Sequence, residues 1–176
     1  VRKDIIDNCP SLKIIGRGGV GMDNIDVEYA KSKNINVINT PAASSKSVAE
    51  LVFSHLFGCV RFLHESNRSM PLDGDSKFKE LKKSYAGGRE LAGKKIGIIG
   101  FGRIGQEVAK IAIGIGMEVV FHDKFIDEAS LEIEFFDGQN ISFNMTSSSF
   151  DEVLEKSDFI SVHIPASDKY IIDSKE

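Results

Sequence analysis

The sequence predicts an α/β protein built on a mainly parallel sheet, and three observations carry that prediction. Short, largely apolar runs at 12–15, 95–99 and 159–164 read as buried strands, and the one at 95–99 shows no alternation, the pattern of a strand covered on both faces. Segments with helical start and stop signals separate them, so strand and helix alternate along the chain. Two of the strands run into a glycine cluster that opens towards a helix, the connection of a βαβ unit.

Taken in order, 12–15 is a strand, 23–32 a helix and 35–38 a second strand, broken by Asn39-Thr40-Pro41. Ser47-Val48-Ala49-Glu50 is a capping box with Ser47 as N-cap, opening a long helix to about Arg68. Apolar residues cover much of the circumference of that helix, which predicts contact on more than one side. Residues 71–88 are polar, with Asp73-Gly74-Asp75 and Gly87-Gly88 as loop signals, and are read as a boundary. Strand 95–99, helix 106–115 ended by Gly116, and strand 118–122 follow. Between 131 and 145, Ile133-Glu134-Phe135-Phe136 and Ile141-Ser142-Phe143 flank Asp137-Gly138-Gln139-Asn140, a hairpin pattern. Ser149-Phe150-Asp151-Glu152 is a second capping box, opening a helix to Lys156, and strand 159–164 stops at Pro165. The predicted division is 1–45, 46–90 and 91–176.

Hydrophobic residues make up 41% and charged residues 27%, a soluble globular balance. The net charge of −4 gives no electrostatic reason for a nucleic-acid or membrane partner. Cys9 and Cys59 belong to no CxxC or His cluster, so neither a structural disulfide nor a metal site is expected, and a reducing cytoplasm fits. His55 and His64 lack triad or metal spacing, His122 is expected to be solvated at a strand end, and Cys59 to be a small core residue. The chain starts without Met and closes on Asp173-Ser174, an apparent helix opening, so it reads as an interior piece of a longer protein.

Two stretches share the GxGxxG spacing: Gly16-Arg17-Gly18-Gly19-Val20-Gly21 and Gly100-Phe101-Gly102-Arg103-Ile104-Gly105. A dinucleotide site needs glycine for the tight turn, for backbone approach to a pyrophosphate and for helix-on-strand packing, with the anion on the positive helix end. It also needs an acid at the end of the next strand to accept from the ribose hydroxyls. The second stretch meets these demands, with seventeen residues separating Gly105 from Asp123, which ends the next strand. The first does not: Asp23 and Asp26 open its predicted helix, and its next strand ends at Asn39. A carboxylate on a ribose diol repels a 2′-phosphate, so NAD is favoured over NADP, with Lys124 a mild counter-signal.

The order of segments resembles the D-isomer-specific 2-hydroxyacid dehydrogenases. Leu12 to Asp26 is similar to their first-domain signature, Asn39-Thr40-Pro41 with Ser47 to Leu51 to the lead into their interdomain helix, Gly97 to Gly105 to their cofactor fingerprint, and Ser157 to Pro165 to the strand and loop beside the nicotinamide. The resemblance implies a partial Rossmann-type parallel sheet plus part of a flavodoxin-like substrate domain. It also implies NAD as hydride acceptor from a small 2-hydroxyacid, and a homodimer or higher homo-oligomer. Arg103 and Ile104 match the pair on the pyrophosphate, Asp123 the ribose acid, Ile164 and Pro165 the cofactor-covering loop, His163 a loop residue rather than the base, and Val20 a position facing the nicotinamide. Backbone N–H groups of Gly19, Val20 and Gly21 are expected to form an anion nest for the substrate carboxylate. Arg17 would pair with a substrate phosphate; the bland alternative is an arginine capping nearby carbonyls. The family draws its catalytic arginine, glutamate and histidine from beyond the His-x-Pro loop, so no catalytic residue is expected in 1–176 and the chain alone is expected to be inactive.

Within the family the segments are most similar to the branch oxidising 3-phosphoglycerate in serine biosynthesis. Lactate, glycerate or formate oxidation, an NAD-sensing corepressor of the same fold, and a regulatory piece binding through the long helix are the alternatives. Two departures stand out: 131–144, which has the character of an insertion, and Ala166-Ser167-Asp168, where the family often has Leu-Thr.

Overall fold

In a computed structural model the described residues are 1–165 and 170–172, so Ala166-Ser167-Asp168 and the apparent helix opening at Asp173-Ser174 lie outside them. The chain divides into two compact units, Val1–Val48 and Ala49–Glu176.

The first unit contains α1 (Lys3–Asp7), β1 (Ile14–Arg17), α2 (Val27–Ser32) and β2 (Asn36–Asn39). β1 and β2 pair in parallel, with Ile14 opposite Asn36 and Arg17 opposite Asn39. Ile6, Ile15, Ile25, Ala30 and Ile35 form its core. Helix α2 starts at Val27 rather than at 23. Residues 22–25 form a turn closed by Ile25 N–H on the Met22 carbonyl (2.9 Å). The Asp26 carboxylate accepts from Arg2 Nη1 (2.9 Å) and from the Lys3 N–H (3.1 Å), so it serves the start of α1.

Helix α3 (Ser45–Val60) leads into the second unit, where Ala49, Phe53 and Val60 join its main core. The predicted cap at Ser47 is displaced: the helix begins two residues earlier, so Ser47 and Glu50 lie inside its first turns. The predicted end at Arg68 is also displaced. Phe62 adopts a left-handed conformation (φ 54°), which separates α3 from α4 (Leu63–Ser84). The segment read as a polar loop is therefore mostly helical. Its helix buries no residue and is held by local bonds. Ser69 Oγ donates to the Glu65 carbonyl (2.8 Å), Ser84 Oγ to the Glu80 carbonyl (3.1 Å), and Lys77 pairs with Asp73 (3.2 Å). Sixteen residues of straight helix would span about 24 Å. Yet Tyr85 Oη donates to Ser69 Oγ at 3.0 Å, so the non-helical backbone at Lys77 turns the segment back on itself. The Arg89 N–H reaches the Val60 carbonyl at 2.9 Å, closing the excursion where it began.

The remaining elements are β3 (Lys95–Ile99), α5 (Arg103–Gly114), β4 (Glu118–His122), β5 (Glu128–Glu134), β6 (Asn140–Thr146), α6 (Phe150–Lys156) and β7 (Phe159–Val162). The strands β4, β3 and β7 form a parallel sheet in that order, with β3 in the centre. β3 and β4 fall where the apolar runs predict. β7 ends two residues earlier than predicted. Ile96, Ile98 and Phe121 from the sheet meet Val108, Ala109 and Ala112 from α5 in the core. Gly116 turns the chain after α5 with φ 80°.

The hairpin is present and longer than predicted. β5 and β6 are antiparallel, with Leu131 opposite Phe143 and Ile133 opposite Ile141, and Gly138 (φ 83°) makes the turn. Leu131, 1% exposed, roots it in the main core. The Ser149 cap is formed, its Oγ accepting the Glu152 N–H at 3.2 Å. The Glu152 carboxylate pairs with Lys156.

Candidate functional site

The carboxyl ends of β3, β4 and β7 lie side by side, the edge of a parallel sheet at which ligands bind. The turn leaving β3 begins at Gly100, whose φ is 94°. A Cβ there would lie 2.6 Å from the His163 carbonyl oxygen, and one on Gly105 2.2 Å from the Gly100 carbonyl oxygen. Gly100 thus makes the turn and Gly105 lets α5 sit on it. Gly102 differs: it is exposed, and a Cβ there meets nothing within 4 Å. Among the described residues no packing contact requires glycine at 102, and an open backbone at this point suits a close-approaching ligand.

Helix α5 starts at Arg103, not at Gln106 as predicted. Gly102 is its N-cap and offers no side-chain acceptor. The Gln106 N–H bonds to the Gly102 carbonyl (3.0 Å). The N–H groups of Arg103, Ile104 and Gly105 have no acceptor among the described residues. Together with the helix dipole they form a positive end directed at the loop. Arg103 is exposed and Ile104 half-buried.

Asp123 follows β4 and faces this loop. Its Oδ2 accepts the Phe101 N–H at 2.6 Å, and its Oδ1 accepts those of Phe125 (2.8 Å) and Ile126 (3.2 Å). Its own N–H donates to Ser147 Oγ (3.2 Å). The Phe101 ring turns inward and stacks on Phe121, 3.8 Å between centroids, with both residues fully buried. Three backbone donors leave a half-buried carboxylate with acceptor capacity for a hydroxyl. The Lys124 ammonium lies over the Phe125 ring, 5.5 Å from its centroid.

From β7, the His163 N–H bonds to the Ile99 carbonyl (2.7 Å), and the Ile164 side chain lies against Gly100. The His163 Nε2 is 2.8 Å from Ser161 Oγ, and burial holds its pKa below the ordinary 6.5. Pro165 is exposed. The structure therefore brings Gly100, Gly102, Arg103, Ile104, Gly105, Asp123, His163 and Ile164 around one glycine turn. His122 is not solvated as expected: its Nδ1 is 2.9 Å from the Ser148 carbonyl and its ring meets Phe150 edge-on. Cys59, expected in the core, is exposed.

The first unit carries the other glycine loop, after β1. No helix starts there, since five residues separate Gly21 from α2. Arg17 Nη1 donates to the Gly18 carbonyl (2.8 Å), and its buried Nε has no partner among the described residues. Arg17 forms no ion pair among the described residues. The Gly19 N–H donates to Thr40 Oγ1 (2.9 Å), so it is not free for a ligand as the sequence suggested. The N–H groups of Val20 and Gly21 have no acceptor among the described residues, and both residues are exposed. Sequence reading gave Asn39 and Thr40 no part in this loop. Their signal is positional: the β1–β2 register sets Asn39 beside Arg17 at the mouth of the loop.

Comparison with known proteins gives concordant findings. The D-isomer specific 2-hydroxyacid dehydrogenase, NAD binding domain, matches residues 53–175. Hydroxypyruvate reductase of Thermotoga maritima is 43% identical over 165 residues, covering 94% of this chain and 48% of that protein. D-3-phosphoglycerate dehydrogenase of Methanocaldococcus jannaschii is 39% identical over 172 residues, covering 96% of this chain and 30% of that protein. The crystal structure of NAD-dependent formate dehydrogenase from Staphylococcus aureus in complex with NAD matches with a TM-score of 0.69 at 27% identity, covering 96% of this chain and 46% of that one. The chain spans about half the length, or less, of these relatives.

Proposed function

From the premise that this chain belongs to the D-isomer-specific 2-hydroxyacid dehydrogenase family, we propose that the intact protein is an NAD-dependent oxidoreductase acting on a D-2-hydroxyacid, with 3-phosphoglycerate as the substrate. The single observation that carries the cofactor assignment is Gly102, which among the described residues is open to at least 4 Å beside three N–H groups without acceptors, next to Phe101, whose N–H holds the Asp123 carboxylate. Arg103, Ile104 and Gly105 would hold the pyrophosphate through those N–H groups. Asp123 would accept from the adenosine ribose and disfavour a 2′-phosphate. His163, Ile164 and Pro165 would cover the cofactor from the β7 side. NAD, when bound, supplies the hydride acceptor.

In the first unit, the N–H groups of Val20 and Gly21 would take the substrate carboxylate. Arg17 supports a phosphorylated substrate, because among the described residues its guanidinium has no carboxylate partner and its Nε no acceptor. The reading that competes with 3-phosphoglycerate is reduction of hydroxypyruvate, favoured by the 43% identity to a hydroxypyruvate reductase. Among the described residues none is assigned the proton transfer, and His163 and His122 are engaged by Ser161 and by the Ser148 carbonyl. Exposed Leu63, Leu72 and Phe78 on α4 suit a homodimer.

The test is an assay of the full-length gene product. NADH formation with 3-phosphoglycerate is measured against glycerate and lactate, and NADH consumption against hydroxypyruvate. A kcat/KM for 3-phosphoglycerate below those of the unphosphorylated acids removes the substrate assignment. Failure to bind NAD removes the cofactor assignment.

A further inference from the structure

The geometry points to Asn39 and Thr40 as positioning residues that aim the Val20 and Gly21 N–H groups at the substrate carboxylate, an inference that rests on the substrate reading of the first glycine loop. Each trans peptide unit is planar, with its C=O and N–H directed to opposite sides. Fixing a carbonyl therefore fixes the direction of the next residue's N–H. Three successive units of the loop are fixed in this way.

The 18–19 unit is held at both ends. Its carbonyl accepts from Arg17 Nη1 at 2.8 Å, and its N–H donates to Thr40 Oγ1 at 2.9 Å. The 19–20 unit is reversed. The Gly19 carbonyl accepts the Thr40 N–H at 3.2 Å, so the Val20 N–H is turned away from the end of β2. The 20–21 unit repeats that orientation. The Val20 carbonyl accepts from Asn39 Nδ2 at 2.9 Å, so the Gly21 N–H is turned the same way. Two adjacent N–H groups thus point away from β2, without acceptors among the described residues, while the Gly19 N–H points back to Thr40. Successive N–H groups so directed bind an anion. Gly19 has φ 137°, which few other residues adopt, so the reversal at 19 is a built feature of the loop.

The full-length gene product is the material for the test. Thr40→Val keeps the shape and removes the acceptor, Thr40→Ser keeps the hydroxyl, and Asn39→Ala removes the donor to Val20. Melting temperatures confirm that each variant is folded, and Asn39→Ala serves if Thr40→Val is not. Thr40→Val and Asn39→Ala are each expected to raise the KM for the hydroxyacid by about tenfold, the scale of one hydrogen bond that orients a charged group. The KM for NAD and kcat should stay within about twofold, because the lost interaction is uniform binding. Thr40→Ser should behave as wild type. The second readout is the preference of each protein for the hydroxyacid over its neutral amide, which should fall with the KM effect. Wild-type preference kept in both Thr40→Val and Asn39→Ala overturns the positioning role. A wild-type protein that does not distinguish acid from amide overturns the substrate reading of the loop itself.

Discussion

The Phe101 N–H donates to Asp123 Oδ2 at 2.6 Å, tying the glycine turn after β3 to the carboxylate after β4. Two further N–H groups, from Phe125 and Ile126, converge on the other oxygen. Asp123 therefore has two tasks: it shapes the loop and it presents an acceptor to a ribose. Removing it should disturb both. Asp123→Ala is expected to lower stability by about 1–3 kcal/mol, since three donors lose an ionised acceptor. It is also expected to weaken NAD binding by at least about tenfold and to narrow the gap between NAD and NADP. Calorimetric titration with both nucleotides and a thermal melt measure the two effects. Unchanged NAD affinity would remove Asp123 from the site.

The glycines of the fingerprint should separate into two behaviours. Gly102→Ala places a methyl where no described residue lies within 4 Å, so the protein should melt as wild type. Its NAD affinity should fall at least about tenfold, because the methyl stands where the pyrophosphate would approach. Gly105→Ala forces a Cβ to within 2.2 Å of the Gly100 carbonyl oxygen and should destabilise the fold whether or not NAD is present. Equal loss of stability in both variants would show that Gly102 is structural.

How far the sequence could be read depended on whether a segment is buried. β3 and β4 were legible because Ile96, Ile98, Ile99 and Phe121 are core residues, and covered strands leave uninterrupted apolar runs. Ser149 was legible because a cap is a local bond between neighbours. The stretch around Pro71 and Asp73-Gly74-Asp75 was misread for the opposite reason. α4 buries nothing, so no apolar stripe marks it, and the bonds that hold it are serine hydroxyls and one i,i+4 pair. The left-handed turn at Phe62 gave no signal, since neither glycine nor asparagine stands there. At the candidate site the glycines and Asp123 were visible by spacing alone. Thr40 and Asn39 were not, because their partners lie 21 and 19 residues away, across a parallel strand pair.

The hairpin gives a stability prediction that separates its root from its tip. Leu131 is buried in the main core, whereas Phe136 is wholly exposed beyond the strands. Leu131→Ala is expected to cost about 2–5 kcal/mol, the range for truncating a buried leucine. Phe136→Ser should change stability by less than about 0.5 kcal/mol, as a surface change does. Denaturant titration distinguishes them. A costly Phe136→Ser would mean that the tip is covered in solution.

His163 sets the pH dependence expected near neutrality. Burial disfavours its charged form, so its folded pKa lies below the ordinary 6.5 of the unfolded chain. In the interval between the two values the unfolded state binds more protons, so stability rises with pH there. The contribution is complete above 6.5 and is lost as pH falls from 6.5 through the folded value. Asp7 and Asp26 act in a separate, more acid window. The Tyr29 hydroxyl lowers the first and the Arg2 guanidinium the second, below an ordinary 3.8, so their contribution is lost only as pH falls below that value. Melting temperatures from pH 8 to pH 5 should therefore decline, and His163→Gln should flatten that decline while leaving the acid limb below pH 4 in place. A His163→Gln protein with the wild-type slope between pH 7 and pH 5 would place the titrating group elsewhere and leave the Ser161–His163 pair without a role in stability.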